Sequence, residues 1–248
     1  MVFLIRLWLM LIQVDAKAIE WVVCVYLAQD KMGIQELTYQ NYDMHSENMK
    51  AFGFPSRLIA KIFIFRLIFG GSAYSYAHDP DFISVSSSPK YWQRAIDAFY
   101  NKYAGVREWH DYLLKTIPQT GVYRLPTGRE YEFKLVGNNY NDDLSWPRTC
   151  MLNYPVQGLA AQLMEIARIS AYRRLYGREG VLFINTVHDN IVLDVVNDNL
   201  LISEVSGILK QCLIDVPVNF EKIYKVPFNC PIKGEIDVGM NWGQMEKV

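Results

Sequence analysis

Residues 181–196 constrain the fold more than any other stretch of this chain. Val181 to Val187 and Ile191 to Val196 are β-rich runs separated only by His188-Asp189-Asn190. That spacing leaves room for a tight turn and little else, so the runs read as strand, turn, strand. An aspartate at the tip of an apolar hairpin is costly to desolvate unless something compensates it, and a divalent cation does so best. Capping the turn is the ordinary alternative for Asp189.

A second strand ends on another acid. Met1 to Val14 is almost wholly apolar and stops at Asp15, as a buried central strand does. Ala18 to Gln29 then keeps apolar residues at helical spacing, which places Asp15 at the rim of a sheet. The same apolar start, followed by Ala16-Lys17-Ala18, is similar to a secretory signal. It lacks a basic leading region, carries Arg6 inside the run and is too short to span a bilayer, so no membrane partner is expected.

Composition limits what surrounds these strands. With 248 residues, 51% hydrophobic and 21% charged, the chain can bury a core and make one large domain or two lobes. A net charge of -1 gives no overall field for attracting a polyanion, so any nucleic-acid binding must use local patches and metal ions. The four cysteines lie far apart without a C-x2-C pair, which argues against a zinc module or a disulfide framework. A reduced, cytoplasmic setting fits, in the host cell if the chain is viral.

The middle of the chain reads as helical. Gly53-Phe54-Pro55-Ser56 looks like a helix start with Pro55 in the first turn, and Gly70-Gly71 ends that helix. A further helix is expected from Ser88-Pro89 to Leu113, a hairpin from Gly121 to Phe133, helices over Val156 to Tyr176 and Leu200 to Leu213, and a closing strand within Pro231 to Trp242. The fold class is therefore α+β, with helices packed on an antiparallel sheet and a mainly helical lobe inserted in the middle.

One helix carries a further pattern. Residues four apart drift by about 40° around a helix, so Arg57, Lys61, Phe65 and Phe69 form one stripe roughly 18 Å long. Its cationic half suits a triphosphate, and its aromatic half offers flat faces to a sugar and base. The plainer reading makes Phe65 and Phe69 core residues with the cations snorkelling at one end.

Taken together these residues resemble the family A DNA polymerases, of which bacterial DNA polymerase I and several phage replicative enzymes are members. The resemblance is collinear and phage-like, and covers the palm and fingers portion. Asp15-Ala16-x3-Glu20 resembles motif A, Arg57-x3-Lys61-x3-Phe65-x3-Phe69-Gly70 motif B, and Val187-His188-Asp189 motif C. Asp43-x-His45, Gly128-Arg129 and Asn153-Tyr154-Pro155-Val156-Gln157-Gly158 agree in order.

This resemblance implies template-directed DNA synthesis, with dNTPs added to a primer 3′-hydroxyl on primer-template DNA. Asp15, Asp189 and the carbonyl of Ala16 would hold two Mg²⁺ ions. His45, Arg57 and Lys61 would contact the triphosphate, with Lys61 also supplying a proton to the leaving group. Phe65 would pack on the sugar, Phe69 would lie near the templating position, and Glu20 would exclude a 2′-hydroxyl. Asn153 and Gln157 would read minor-groove acceptors shared by all base pairs. His188 would lie near the primer terminus, and Arg129 would contact DNA.

The implied layout is palm over 1–25, fingers over 26–147 and palm again over 148–248. Two residues depart from the family pattern: Phe69 where many members have tyrosine, and Asn190 where glutamate is common. No thumb or 3′–5′ exonuclease segment precedes motif A, so the expectation is a truncated or split polymerase, weak in DNA binding unless a separate thumb-containing polypeptide assists. A catalytically inactive nucleic-acid-binding remnant is the alternative.

Overall fold

A computed structural model describes residues 9–39, 42–138 and 141–248. Met1 to Trp8, the first part of the expected strand or signal, lies outside them. Strand β1 (Leu9–Ala16) turns at Lys17-Ala18 into α1 (Ile19–Ala28). Four more short helices follow: α2 (Lys31–Thr38), α3 (Met44–Phe52), α4 (Arg57–Ile68) and α5 (Ala73–Ala77). Next come α6 (Pro89–Lys102) and α7 (Ala104–Thr120), then β2 (Val122–Arg124), β3 (Glu130–Glu132), β4 (Val136–Asn138) and β5 (Asn141–Ser145). The long α8 (Arg148–Leu175) leads to β6 (Val181–Val187), β7 (Asn190–Val196), α9 (Asn199–Ile214), α10 (Val216–Tyr224), β8 (Gly234–Gly239) and β9 (Glu246–Lys247). The class is α+β, as the sequence implies.

The chain divides into two compact units, residues 1–19 with 159–248, and residues 20–158. In the first, five strands form one sheet in the order β6-β7-β1-β8-β9, every neighbouring pair antiparallel. Its central strand alternates strictly at its end: Ile12, Val14 and Ala16 are fully buried, while Gln13 and Asp15 are half-buried. Val14 pairs with Ile191 and Ile236, and Ile12 with Leu193, so one face of the sheet is apolar across three strands. Helix α9 packs on β1, β7 and β8 with buried Val205, Leu209 and Leu213. Each such aliphatic side chain removed from water contributes about 1.5–3 kcal/mol. The opposite face carries Gln13, Asp15, Asn190, Glu235 and Asp237 around a buried Val192.

The second unit is built on aromatic packing. Phe63 lies 4.8 Å from Phe54, 4.9 Å from Tyr76 and 6.0 Å from Trp92, ring centre to ring centre. Tyr76 donates its hydroxyl to the Phe63 carbonyl at 2.9 Å, and Trp92 its indole N–H to the Ser86 carbonyl at 2.8 Å, so the burial leaves neither group unsatisfied. A second knot joins Trp21, Phe99 and Tyr103.

Local boundaries depart from the sequence reading in four places. Helix α4 starts at Arg57, because Ser56 caps it by accepting from the Ile59 N–H at 3.2 Å, which leaves Pro55 outside the helix. The helix expected over 88–113 is two helices broken at Tyr103. Asp30 captures the N–H groups of Gly105 at 2.8 Å and Val106 at 3.3 Å, giving α7 its own start. Helix α8 begins at Arg148 and carries Pro155 inside it. Asn190 belongs to β7, so the turn is His188-Asp189 alone.

Candidate active site

In the sheet unit, register brings the two predicted metal-binding acids together. Asp15 is the Cα partner of Asn190 on β7, and the Ala16 N–H donates to the Asp189 carbonyl at 3.2 Å. Asp15, near the end of β1, therefore lies beside the β6–β7 turn that holds Asp189. Both are half-buried. His188 takes a left-handed backbone (φ 53°), which closes the two-residue turn and leaves its own side chain exposed.

Asp15 has a second cross-strand partner, Glu235 on β8. Direct partners across an antiparallel pair share a face, so Asn190, Asp15 and Glu235 line one side of the sheet. Glu235 forms ion pairs with Lys17, at 3.3 Å, and Lys247. Lys247 first, and then Lys17, hold its carboxyl below the usual carboxylate range against the opposing effect of burial. Sequence reasoning missed Glu235. The signal was the alternation Glu235-Ile236-Asp237, which puts two acids on the face opposite Ile236.

The donors available beside Asp15 are hard oxygens, two carboxylates and the Ala16 carbonyl, which suit Mg²⁺ rather than a soft metal. No group of three or more His, Cys, Asp or Glu side chains able to hold a metal occurs among the described residues. An ion here would thus complete its shell with water and substrate oxygens, as Mg²⁺ commonly does.

In the helical unit, α4 turns Ala60, Phe63, Ile64, Leu67 and Ile68 into the core. Arg57 and Lys61 are exposed, and Phe65 and Phe69 are half-buried, so the four form a stripe along the border of the core face. Lys61 Nζ lies 5.9 Å from the Phe65 ring centre, and the His45 ring 5.8 Å from the same ring. Arg57 meets Asp43 through Nε at 2.7 Å and Nη2 at 3.2 Å. Asp43 also caps α3 by accepting from the His45 N–H at 3.1 Å. One carboxylate thus ties α3 to α4 and places His45 beside the stripe.

Glu20 lies in the first turn of α1, where the helix N-terminus favours an acid. Asn153 and Gln157, four apart on α8, share a face. The Asn153 Oδ1 is buried with no hydrogen-bond partner among the described residues, whereas Gln157 is exposed. Arg129 stacks over Tyr131 at 5.2 Å, and Tyr131 packs so closely on Gly158 that a Cβ there would lie 1.5 Å from its hydroxyl oxygen. The structure thus gathers the predicted residues into sets, each within its own unit: Asp15, Ala16, His188 and Asp189; His45, Arg57, Lys61, Phe65 and Phe69; and Arg129 with the start of α8.

A sequence profile of DNA polymerase family A matches residues 2–244. The chain belongs to that family. This family A chain is 26% identical over 243 residues to DNA polymerase I of Caldicellulosiruptor bescii, covering 94% of the chain and 26% of that protein. Against the thermostable DNA polymerase I of Thermus aquaticus the identity is 24%, covering 95% of the chain and 27% of the relative. The family A chain therefore spans about a quarter of the length of these curated relatives. Its fold is similar to the POL domain of Pol1 from M. smegmatis, solved in complex with DNA primer-template and dNTP, with a TM-score of 0.76 at 19% identity. That match covers 95% of this chain and 40% of the other. No helix among the described residues of the family A chain is long and apolar enough to cross a membrane.

Proposed function

We propose that this chain carries the nucleotidyl-transfer centre of a template-directed DNA polymerase, with palm over 1–25 and 148–248 and fingers over 26–147. The observations that support the reading are the pairing of Asp15 with Asn190 and the Ala16 to Asp189 hydrogen bond, between the end of β1 and the β6–β7 turn. Family membership supports the choice of chemistry.

In the reaction, the primer 3′-oxygen bonds to the α-phosphorus of a dNTP while the bond from that phosphorus to the α–β bridging oxygen breaks, releasing pyrophosphate. Asp15, Asp189 and the Ala16 carbonyl would hold two Mg²⁺ ions. Bound there, the ions would favour ionisation of the 3′-hydroxyl and offset charge on the leaving pyrophosphate. Arg57 and His45 bind the triphosphate. The Asp43 pair orients the Arg57 fork without blocking it, because an exposed ion pair is worth about 0–1 kcal/mol and a phosphate is the stronger partner. Lys61 gives a proton to the departing pyrophosphate. Phe65 supports the sugar, Phe69 the templating position, and Glu20 occupies the space a 2′-hydroxyl would need. Asn153 and Gln157 contact the minor-groove edge of the new pair, His188 the primer end and Arg129 the DNA backbone.

Asp189→Asn keeps size and turn chemistry but removes a charge. It should abolish primer extension, a loss of at least about 10³-fold, while the thermal unfolding midpoint stays unchanged. An active Asp189→Asn protein would end the metal-site reading. A wild-type chain that binds primer-template but incorporates nothing would favour a catalytically inactive nucleic-acid-binding remnant.

A further inference from the structure

A second polar feature adjoins the hairpin tip within the sheet unit. Helix α8 and strands β6 and β7 enclose a cleft of about 230 Å³ whose polar lining is Glu165, Arg168, Thr186, His188 and Asn190. His188 and Asn190 are the immediate neighbours of Asp189 in sequence. The cleft therefore opens beside the predicted metal-holding acid.

Arg168 is the cleft's one arginine or lysine. It reaches from α8 toward the hairpin: Nη1 lies 3.4 Å from Thr186 Oγ1, and Nη2 3.2 Å from Glu165 Oε1. The Glu165 pair spans one helical turn between two exposed groups, so it orients the guanidinium at little cost to any stronger partner. A guanidinium has five N–H donors in a fixed fork suited to a phosphate, and these two contacts leave donors over.

We propose that this cleft is a phosphodiester-binding subsite for the primer strand, with Arg168 as its donor and His188 as its polar wall. The inference rests on the transfer reading above: a primer whose 3′-hydroxyl reaches Asp189 must carry its next phosphates past the residues that flank Asp189. Sheet acids line the face beyond Asp15, and Lys17 and Lys247 are already held there by Glu235. Arg168 supplies fixed positive charge on the hairpin side, where a polyanion would otherwise meet Glu165. Glu165 consequently acts in two opposed ways, orienting the arginine and repelling the strand.

The test is anisotropy of a fluorescent primer-template duplex titrated with the full chain at several salt concentrations, with primer extension measured in parallel. Arg168→Ala should weaken binding about tenfold at low salt and reduce the slope of log affinity against log salt by about 0.9, the loss of one phosphate contact. Arg168→Lys should retain the slope with reduced affinity. Glu165→Gln, which leaves the arginine in place, should tighten binding, and Thr186→Val should leave the slope unchanged. Absence of wild-type binding, an unaltered slope in Arg168→Ala, or a Thr186→Val protein that mimics Arg168→Ala would overturn the proposal. The last outcome would make Arg168 a strut between α8 and the hairpin. An Arg168-dependent slope without nucleotide incorporation would keep the subsite and remove the transfer reading; incorporation with an Arg168-independent slope would do the reverse.

Discussion

Arg57 and Asp43 form a two-point ion pair that joins the starts of α4 and α3. The Arg57 guanidinium, more than any other neighbour, holds the Asp43 carboxyl well below the usual carboxylate range, with help from Ser46 and against the effect of burial. A depressed folded value means that the stabilisation is fully present above the unfolded aspartate value, near pH 3.9, and is lost as pH falls through the folded one. Asp43→Asn retains an oxygen to cap α3 but has no such titration. Urea midpoints measured from pH 6 downward should fall more steeply for wild type than for Asp43→Asn, and parallel curves would show that the pair adds nothing to stability.

Asp30 is the single acceptor shared by two helix starts. One of its oxygens takes the Gly33 N–H of α2 at 2.7 Å, and the other takes the N–H groups of Gly105 and Val106 in α7. Its side chain is almost fully buried, so water cannot replace these bonds. Asp30→Ala should cost about 3 kcal/mol or more, and Asp30→Asn somewhat less, read as shifts in the urea midpoint.

Gly158→Ala would ordinarily strengthen a helix by about 1 kcal/mol. Here the added methyl overlaps the Tyr131 hydroxyl, so the ring must swing away and its stacking with Arg129 is lost. Net destabilisation of about 1–3 kcal/mol and weaker primer-template binding are expected. A more stable Gly158→Ala protein would count against the packing described.

Glu20→Ala removes a side chain from the first turn of α1, where its effect on folding is a few tenths of a kcal/mol. If Glu20 fills the 2′ position, discrimination against ribonucleotides should fall tenfold or more, measured as the ratio of kcat/KM for dNTP and rNTP. Unchanged sugar selection would leave the residue a structural role only.

How much of this was legible beforehand depended on the range of the interactions involved. The strands around His188-Asp189 followed from β-rich runs split by a short turn, and the stripe on α4 from a spacing of four, both set by residues close in sequence. The break between α6 and α7 did not follow, because nothing near Tyr103 demands it. It is imposed by Asp30, 75 positions before Gly105. Asn190 read as a turn former, yet pairing with both Val187 and Asp15 draws it into β7. The helix expected from Val156 starts eight residues earlier, at Arg148, and α8 runs on through Pro155, which has no N–H to give the Met151 carbonyl. The pairing of Glu235 with Asp15 is a matter of long-range register, which alternation hints at and only the assembled sheet fixes.

Ala18 and His188 both hold left-handed backbones, at φ 49° and φ 53°, within three positions of Asp15 and Asp189 respectively. An L-residue in that conformation gives up roughly 1–2 kcal/mol that glycine would not. The sheet must therefore keep each acid's neighbouring joint bent against its own preference. Relaxing either joint with glycine should yield a sturdier protein whose two acids are less firmly aimed, so that endurance and turnover move in opposite directions.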